Sequence, residues 1–266
     1  MKRTFILGLG SQKCGTTTIT RLLKKAGVFF PFGNEARILN NCFNPRYKMS
    51  ADKLNCKNKN SKQYILANPW QYSKAFRIKS RKRGRKFVGD FTPAYSGLSI
   101  PELTYVRNIL LGENFNVKTI FIARDPYKRC WSATRHDLRR NFSSEKESTL
   151  LAHKYFSENF SSERFLARTR YEETITNIQK SFNSEEIYVD IFERIFTGNI
   201  LDNLKPLFEY LELEPPTQEI DVKESSPFKL NEPTESKKEF YQCYEQTYEF
   251  MYEKFPITKD LWPQKI

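Results

Sequence analysis

Four short apolar segments are spread along the chain, and each of them ends in a polar or turn-forming residue. They are rich in β-branched and aromatic side chains, a composition that is typical of strands. The segments cover residues 4–9, 86–91, 117–123 and 187–192. The pattern therefore predicts four strands.

Between these strands, apolar positions recur at helical spacing. The predicted helices cover residues 17–26, 101–111, 126–140, 162–182 and 200–211. Strands that alternate with helices pair in parallel through right-handed crossovers. We therefore expect an α/β fold, a three-layer sandwich with a central, mostly parallel sheet, whose ligands bind at the carboxyl ends of the strands. Because no linker divides the chain, we expect one domain over residues 1–266.

Two regions depart from this alternation. Residues 40–80 are rich in Asn, Lys and Tyr and have weak periodicity. They are predicted to form an irregular or short-helix insertion over one edge of the site. Aromatic side chains recur at helical spacing over residues 236–254. This predicts a helix that packs on the core rather than an aromatic binding box.

The chain is strongly basic, with 44 Lys and Arg against 31 Asp and Glu and a formal net charge of +13. Such a charge favours an anionic partner: a nucleic acid, a phosphorylated cofactor, an acidic polysaccharide or a membrane surface. The densest basic run, residues 79–86, has six basic residues in eight. Its ordinary interpretation is a solvated loop, and a dedicated anion site is the alternative.

Composition also bears on location and on metals. The chain has no run of about 18 apolar residues, so we expect no membrane span. No signal-peptide pattern precedes the first strand, and a cytoplasmic protein is expected. The five cysteines are scattered without C-x-x-C spacing and there are two histidines, so no metal site is predicted.

Residues 10–18, with the sequence GSQKCGTTT, connect the first predicted strand to the first helix. Gly10 and Gly15 allow a tight turn, and the helix N-terminus adds partial positive charge, which together favour a phosphate. The loop fits the start of a P-loop, but Thr16 lies where an ATP- or GTP-binding loop has its lysine. The loop offers Lys13 instead. A single 5′-phosphate that carries one small extra group fits better than a triphosphate.

A second motif, FIARDPYKRCWS, covers residues 121–132. A strand ends at Arg124, Pro126 suits the first turn of a helix, and Ser132 lies about 9 Å further along that helix. Arginine binds phosphate with two parallel hydrogen bonds, and serine adds a hydroxyl donor. Arg124 and Ser132 are therefore predicted to converge on one anion above the sheet.

Together, GSQKCGTTT and RDPYKRCWS resemble the two cofactor signatures of sulfotransferases that use 3′-phosphoadenosine 5′-phosphosulfate (PAPS), in the same order and separation. Two further segments resemble the glycan branch of this family, especially the heparan sulfate type. Residues 33–40, GNEARILN, resemble the segment that carries a catalytic glutamate, which falls on Glu35. Residues 88–96, VGDFTPAYS, resemble the E-K-T-P-A-Y segment.

The resemblance implies a P-loop-like sulfotransferase fold and transfer of a sulfuryl group from PAPS to an acceptor hydroxyl, with PAP as product and no metal. It implies that Glu35 takes the hydroxyl proton, that Lys13 stabilises charge on the sulfuryl group, and that Arg124 and Ser132 hold the 3′-phosphate. The residues expected to contact the donor are Lys13, Cys14, Gly15, Thr16, Thr17, Arg124 and Ser132.

The expected partner is a hydroxyl-bearing acceptor, a carbohydrate or another anionic molecule, and not a nucleic acid. The chain departs from the heparan type at two positions near the acceptor, with Arg37 where a histidine is frequent and Phe91 where a lysine precedes Thr-Pro. Cys243 stands alone where those relatives have a cysteine-bridged loop. Lys229 is assigned a further cofactor contact.

Two other functions remain open at this stage. One is a P-loop kinase of a small molecule, which the missing lysine after Gly15 disfavours. The other is a non-catalytic polyanion-binding protein that uses the charge of +13 and the basic run.

Overall fold

Four parallel strands form the central sheet of the computed structural model, which describes residues 2–43, 61–141, 144–217 and 230–262. The strands are β1 (Arg3–Gly10), β2 (Phe87–Phe91), β3 (Phe115–Ala123) and β4 (Ile187–Ile191). They are ordered β2-β1-β3-β4, and every neighbouring pair is parallel. All four predicted strands and the α/β sandwich are confirmed.

Helices cover both faces of this sheet. Those before β3 are α1 (Thr16–Lys25), α2 (Leu39–Phe43), α3 (Lys62–Ala67), α4 (Tyr72–Lys82) and α5 (Ile100–Gly112). Those between β3 and β4 are α6 (Pro126–Leu138), α7 (Glu145–Asn159), α8 (Glu163–Leu166) and α9 (Tyr171–Ser181). Those after β4 are α10 (Phe192–Phe196), α11 (Ile200–Asn203), α12 (Lys205–Leu211), α13 (Lys237–Cys243), α14 (Glu245–Lys254) and α15 (Thr258–Leu261).

Alternate side chains of the central strands enter two separate hydrophobic clusters, because successive residues of a strand point to opposite faces. In β1, Phe5 and Leu7 pack with α4, α5 and α9, whereas Ile6 packs with α1 and α12. In β3, Phe121 joins the first cluster and Ile122 the second. The two clusters are the two interfaces of a three-layer sandwich.

The predictions of three long helices are wrong, because the structure has two shorter helices in each of these segments. The segment 162–182 divides into α8 and α9, 200–211 into α11 and α12, and 236–254 into α13 and α14. Pro206, near the start of α12, has no N–H for an i→i−4 bond. Between α8 and α9 the carbonyl of Arg168 accepts a hydrogen bond from the Ser11 hydroxyl at 2.7 Å, so tertiary contact replaces helix continuation.

The insertion predicted at residues 40–80 is more regular than its composition indicates. It contains the short helices α2 and α3 and then α4, which has eleven residues. Residues 44–60 lie outside the described part. Helix α7 has no counterpart in the prediction; its sequence lacks a strong apolar stripe, although Ala152 and Phe156 are buried. The C-terminal aromatic segment packs on the core as predicted, with Phe240 and Tyr248 fully buried.

The sheet has two chemically different ends. Loops after β1, β2, β3 and β4 all contribute to one cavity at the carboxyl ends of the strands. The basic run 79–86 lies at the other end, because α4 ends at Lys82 and β2 begins at Phe87.

In the described part of the chain, no helix combines the length and apolar character needed to cross a membrane.

Candidate active site

The loop after β1 turns directly into α1. Gly15 lies at the N-cap of α1 with φ of +70°, a conformation that favours glycine. A Cβ atom at Gly15 would lie 2.3 Å from the ring of Phe196, so packing also requires glycine there. Lys13 also has a positive φ, +68°, which residues other than glycine rarely adopt. The loop is therefore held in an unusual conformation.

This loop presents free hydrogen-bond donors to the cavity. The N–H groups of Thr18 and Ile19 both bond to the carbonyl of Gly15. Among the described residues, no protein group accepts a hydrogen bond from the N–H groups of residues 13–17. Free N–H groups at a helix N-terminus, with the partial positive charge of the helix, form an anion site.

Lys13 supplies the full positive charge of this loop. Its ammonium group has no hydrogen bond or ion pair with any described residue, although it lines the cavity. Burial, together with the nearby charges of Arg124, Arg135 and Arg139, lowers the pKa of Lys13 to about 8. A bound anion would reverse this effect, because it stabilises the protonated ammonium.

The second motif meets the first at the ends of adjacent strands. Arg124 follows β3, and its Nη1 donates to the carbonyl of Lys13 at 2.9 Å. Its guanidinium stacks over the ring of Phe192 at 4.3 Å, and its Nε lies 3.9 Å from Glu193 Oε1. Ser132, on α6, lines the same cavity, and its hydroxyl has no partner among the described residues. Arg124 and Ser132 therefore line the same cavity as the loop after β1, and their convergence on one anion stays a prediction.

Asp125 holds the start of α6 in place beneath this site. Its buried carboxylate accepts hydrogen bonds from the N–H of Tyr127 at 2.9 Å and from the hydroxyl of Tyr248 at 2.8 Å. Burial raises the pKa of Asp125 to about 6, against the opposing hydrogen bond from Tyr248. The C-terminal helix α14 thus supports the turn that carries Arg124, a link over 123 residues of sequence.

Glu35 lies in the wall of the same cavity. Its Oε2 accepts hydrogen bonds from Nε and Nη2 of Arg37 at 2.9 and 2.7 Å. Its Oε1 has no hydrogen-bond partner among the described residues. The Glu35 side chain is 34% exposed, so an incoming molecule can reach it. One oxygen of this carboxylate is thus held and the other is free to accept a proton.

The cavity has a volume of about 1120 Å³ and an unbalanced charge. Eight Lys or Arg side chains line it, against two carboxylates. The cations are Lys13, Arg21, Arg37, Arg124, Arg135, Arg139, Arg164 and Arg168, and the carboxylates are Glu35 and Asp137. A single phosphate group does not need this number of cations, so the cavity is suited to a ligand set with several negative charges.

Sequence reasoning missed most of these cations. Arg135 and Arg139 follow Ser132 at intervals of three and seven on α6, so helical spacing could have identified them. Arg164 and Arg168 belong to the α8 region, and no local signal connects them to the phosphate loop. Arg168 is joined to the loop by a hydrogen bond from its Nη1 to Gln12 Oε1 at 2.9 Å.

Arg168 has no carboxylate partner among the described residues. Burial lowers its pKa to about 10, and the positive charges of Arg164, Arg129 and Arg37 act in the same direction. Arg164 is paired with Asp137 at 2.8 Å. The cavity therefore contains a guanidinium that forms no ion pair with any described carboxylate.

The other positions that the sequence singled out are Cys14, Lys229 and the basic run 79–86. The Cys14 side chain is fully buried in the second hydrophobic cluster, and burial raises its pKa to about 12, so only its backbone N–H is left for a ligand. Lys229 lies outside the described residues. None of the residues 79–86 lines the cavity. Within the described ranges, no group of three or more His, Cys, Asp or Glu side chains is placed to hold a metal ion.

Comparison with known proteins identifies the fold. No protein-family profile matches the chain, and no curated protein does. The structure is similar to the crystal structure of a sulfotransferase from Alicyclobacillus acidocaldarius, with a TM-score of 0.54. The two chains share 16% sequence identity over 84% of this chain and 88% of the other. At this identity the similarity shows a shared fold, and it confirms the expected sulfotransferase-type α/β architecture.

Proposed function

We propose that this protein is a PAPS-dependent sulfotransferase. The observation that carries the proposal is the hydrogen bond from Arg124 to the carbonyl of Lys13, which joins two anion-binding motifs in one cavity. One motif offers Lys13 and free loop N–H groups; the other offers Arg124 and Ser132. A donor with phosphates at its 5′ and 3′ positions fits two such sites.

The same residues disfavour a nucleoside triphosphate. Thr16 occupies the position of the lysine that contacts β- and γ-phosphates in NTP-binding loops. Lys13, three residues earlier, lies beside the loop N–H groups instead. In the proposed complex the 5′-phosphosulfate contacts Lys13, Thr16 and Thr17, and the 3′-phosphate contacts Arg124 and Ser132.

The proposed reaction is an in-line transfer. The acceptor oxygen forms a bond to sulfur while the bond between sulfur and the 5′-phosphate oxygen breaks, and PAP leaves with that oxygen. Glu35 accepts the hydroxyl proton at Oε1. Lys13 and the loop N–H groups stabilise the negative charge that develops on the bridging oxygen. Arg124 and Ser132 hold the donor so that the two oxygens and the sulfur are aligned.

We further propose that the acceptor is itself anionic, as a carboxylated or sulfated carbohydrate is. Arg168 forms no ion pair with a described carboxylate, and burial together with neighbouring cations lowers its pKa to about 10. Its Nη1 donates to Gln12 of the loop, and the charge of Arg37, which pairs with Glu35, contributes to lowering its pKa. A negative group on the acceptor would pair with Arg168 and bring a nearby hydroxyl towards Glu35.

The donor is tested by calorimetry and by transfer of labelled sulfate. Wild-type protein is expected to bind PAP more tightly than ATP with Mg²⁺. Lys13→Ala and Glu35→Gln are each expected to reduce transfer from labelled PAPS by at least about 10³-fold, with unchanged circular dichroism. Preference for ATP would support the kinase alternative and overturn the proposal. Near-normal turnover by either variant would remove that residue from the mechanism.

The acceptor class is tested with pairs of saccharides that differ in one carboxylate or sulfate. Arg168→Gln is expected to raise KM for the charged member by about tenfold and to leave KM for the neutral member unchanged. Arg170→Gln is the matched control, because Arg170 pairs with Glu173 and does not line the cavity. Equal effects on both members of a pair would contradict the anionic-acceptor proposal and leave the donor assignment intact.

A further inference from the structure

The four residues after Glu35 are held through their backbone in an unusual way. Their consecutive N–H groups all donate to side chains at and just after the end of β2, rather than to the backbone carbonyls of a helix or a strand. The bonds join Ala36 N to Asp90 Oδ1 (3.2 Å), Arg37 N to Thr92 Oγ1 (3.1 Å), and Ile38 N and Leu39 N to the Tyr95 hydroxyl (3.1 and 3.2 Å).

Asp90 is the centre of this arrangement, and we call Asp90, Thr92 and Tyr95 the Asp90 network. The carboxylate is fully buried, and each of its oxygens accepts two hydrogen bonds. Besides Ala36 N, the donors are the hydroxyls of Thr92 (2.8 Å), Tyr95 (2.6 Å) and Tyr72 (3.0 Å). Asp90 therefore has all of its hydrogen-bonding capacity satisfied inside the protein.

The carboxylate also determines which way the other hydrogen bonds point. An ionised carboxylate can only accept, so the Thr92 and Tyr95 hydroxyls must donate their protons to it. Their oxygen lone pairs then face the N–H groups of Arg37, Ile38 and Leu39. An asparagine at position 90 would present an N–H₂ group to one pair of these partners and would reverse the required direction.

We propose that the Asp90 network positions Glu35 for proton transfer. Arg37 has a positive φ of +53°, which costs energy for a residue with a side chain, and the bond from its N–H to Thr92 holds this conformation. In this conformation the Arg37 guanidinium donates two hydrogen bonds to Oε2 of Glu35. The network thus fixes both the backbone after Glu35 and the side chain that orients its carboxylate. Its catalytic meaning rests on the proposed function.

Tyr95→Phe and Tyr72→Phe make a matched pair for testing this proposal. Each removes one phenol donor to Asp90 Oδ2, but only the Tyr95 hydroxyl accepts from Ile38 and Leu39. Hydrogen exchange by mass spectrometry is expected to show at least about tenfold faster exchange at residues 36–39 in Tyr95→Phe and no change there in Tyr72→Phe. This measurement needs no acceptor or donor.

Kinetics provide the second readout. Tyr95→Phe is expected to lower kcat about 10- to 100-fold, because small misplacement of a reacting group has effects of this size, with the affinity for PAP unchanged. Tyr72→Phe is expected to keep kcat within about twofold, although both variants lower the melting temperature. Equal kcat in the two variants, with wild-type protein active, would overturn the positioning role. Wild-type protein that neither binds PAP nor transfers sulfate would instead overturn the proposed function.

Asp90→Asn tests the direction of the hydrogen bonds, because the two side chains have nearly the same shape. We expect it to combine the faster exchange at residues 36–39 with a loss of kcat at least as large as that of Tyr95→Phe. Should this variant prove too unstable to purify, Thr92→Val serves in its place, since among these N–H groups it removes the acceptor of Arg37 N only, together with one donor to Asp90. Unchanged exchange at Arg37 in Thr92→Val would contradict the proposal.

Discussion

Two regions of this protein are rich in cations, and they lie at opposite ends of the sheet. The basic run, residues 79–86, concentrates six basic residues in eight positions at the amino end of β2. The cavity at the carboxyl ends collects eight basic residues that are scattered between positions 13 and 168. The denser cluster in sequence is therefore the one that is not at the site.

The surroundings of the cations differ as well. In the basic run, residues 81–86 are exposed, and Lys79 and Arg83 lie over the rings of Phe32 and Phe29 at 5.1 and 5.5 Å. In the cavity, burial and mutual repulsion lower the pKa of Lys13 to about 8. Charges that are partly buried and close together act more strongly on an anion than solvated charges do. We therefore expect placement, rather than number, to determine the affinity of the cavity for anions.

The largest difference between the two regions is expected from single arginine substitutions. Arg124→Ala is expected to raise the Kd for PAP about 100-fold and to raise donor KM more than it lowers kcat, because in the proposed complex Arg124 contacts the part of the donor that does not react. Arg83→Ala is the matched control in the basic run, with an expected change below twofold. Isothermal titration and initial rates measure both. A similar loss in the two variants would show that net charge, and not the cavity, binds PAP.

A smaller effect is expected from pH. In the proposed complex PAP pairs with protonated Lys13, whose pKa is about 8 in the free protein, so we expect affinity to be complete below this pH and to fall as pH rises through it. Between pH 7 and pH 9 we expect about a tenfold loss of affinity, and proton uptake on binding near pH 8. Lys13→Ala removes this dependence. Binding enthalpies that are identical in buffers of different ionisation enthalpy at pH 8 would count against the role of Lys13.

The smallest effect is expected from the basic run itself. A variant with Lys79, Arg83 and Lys86 all changed to Gln is expected to bind PAP within about twofold of wild type, since none of these residues lines the cavity. We compare its retention on a heparin column with that of a cavity variant carrying Arg124→Ala and Arg168→Gln. The comparison measures how much each of the two cationic regions contributes to heparin binding. A large loss of PAP binding in the triple variant would assign the basic run to the site.

Much of the fold could be predicted because its signals are local. The strands around β1 and β3 are continuous apolar runs, and the loop after β1 carries glycines at the positions that its turn requires. The site residues Lys13, Arg124 and Ser132 follow from short motifs for the same reason. Parallel pairing then brings the ends of β1 and β3 together, so that the contact between Arg124 and Lys13 follows from topology.

The ends of the longer helices and the acceptor side of the cavity depended on contacts between distant residues. Helix α8 ends before Arg168, whose carbonyl accepts a hydrogen bond from the Ser11 hydroxyl. No pattern within residues 162–182 predicts this contact. The bonds from residues 36–39 to Asp90, Thr92 and Tyr95 likewise cross more than fifty residues of sequence.

The sequence by itself determined the strands, the loop after β1 and the second candidate anion motif, because each depends on neighbours within about a dozen residues. Only the tertiary structure decided which of the 44 basic residues face the cavity and how the segment after Glu35 is held. Both outcomes depend on contacts between residues that are far apart in the sequence, and a local sequence pattern does not predict such contacts.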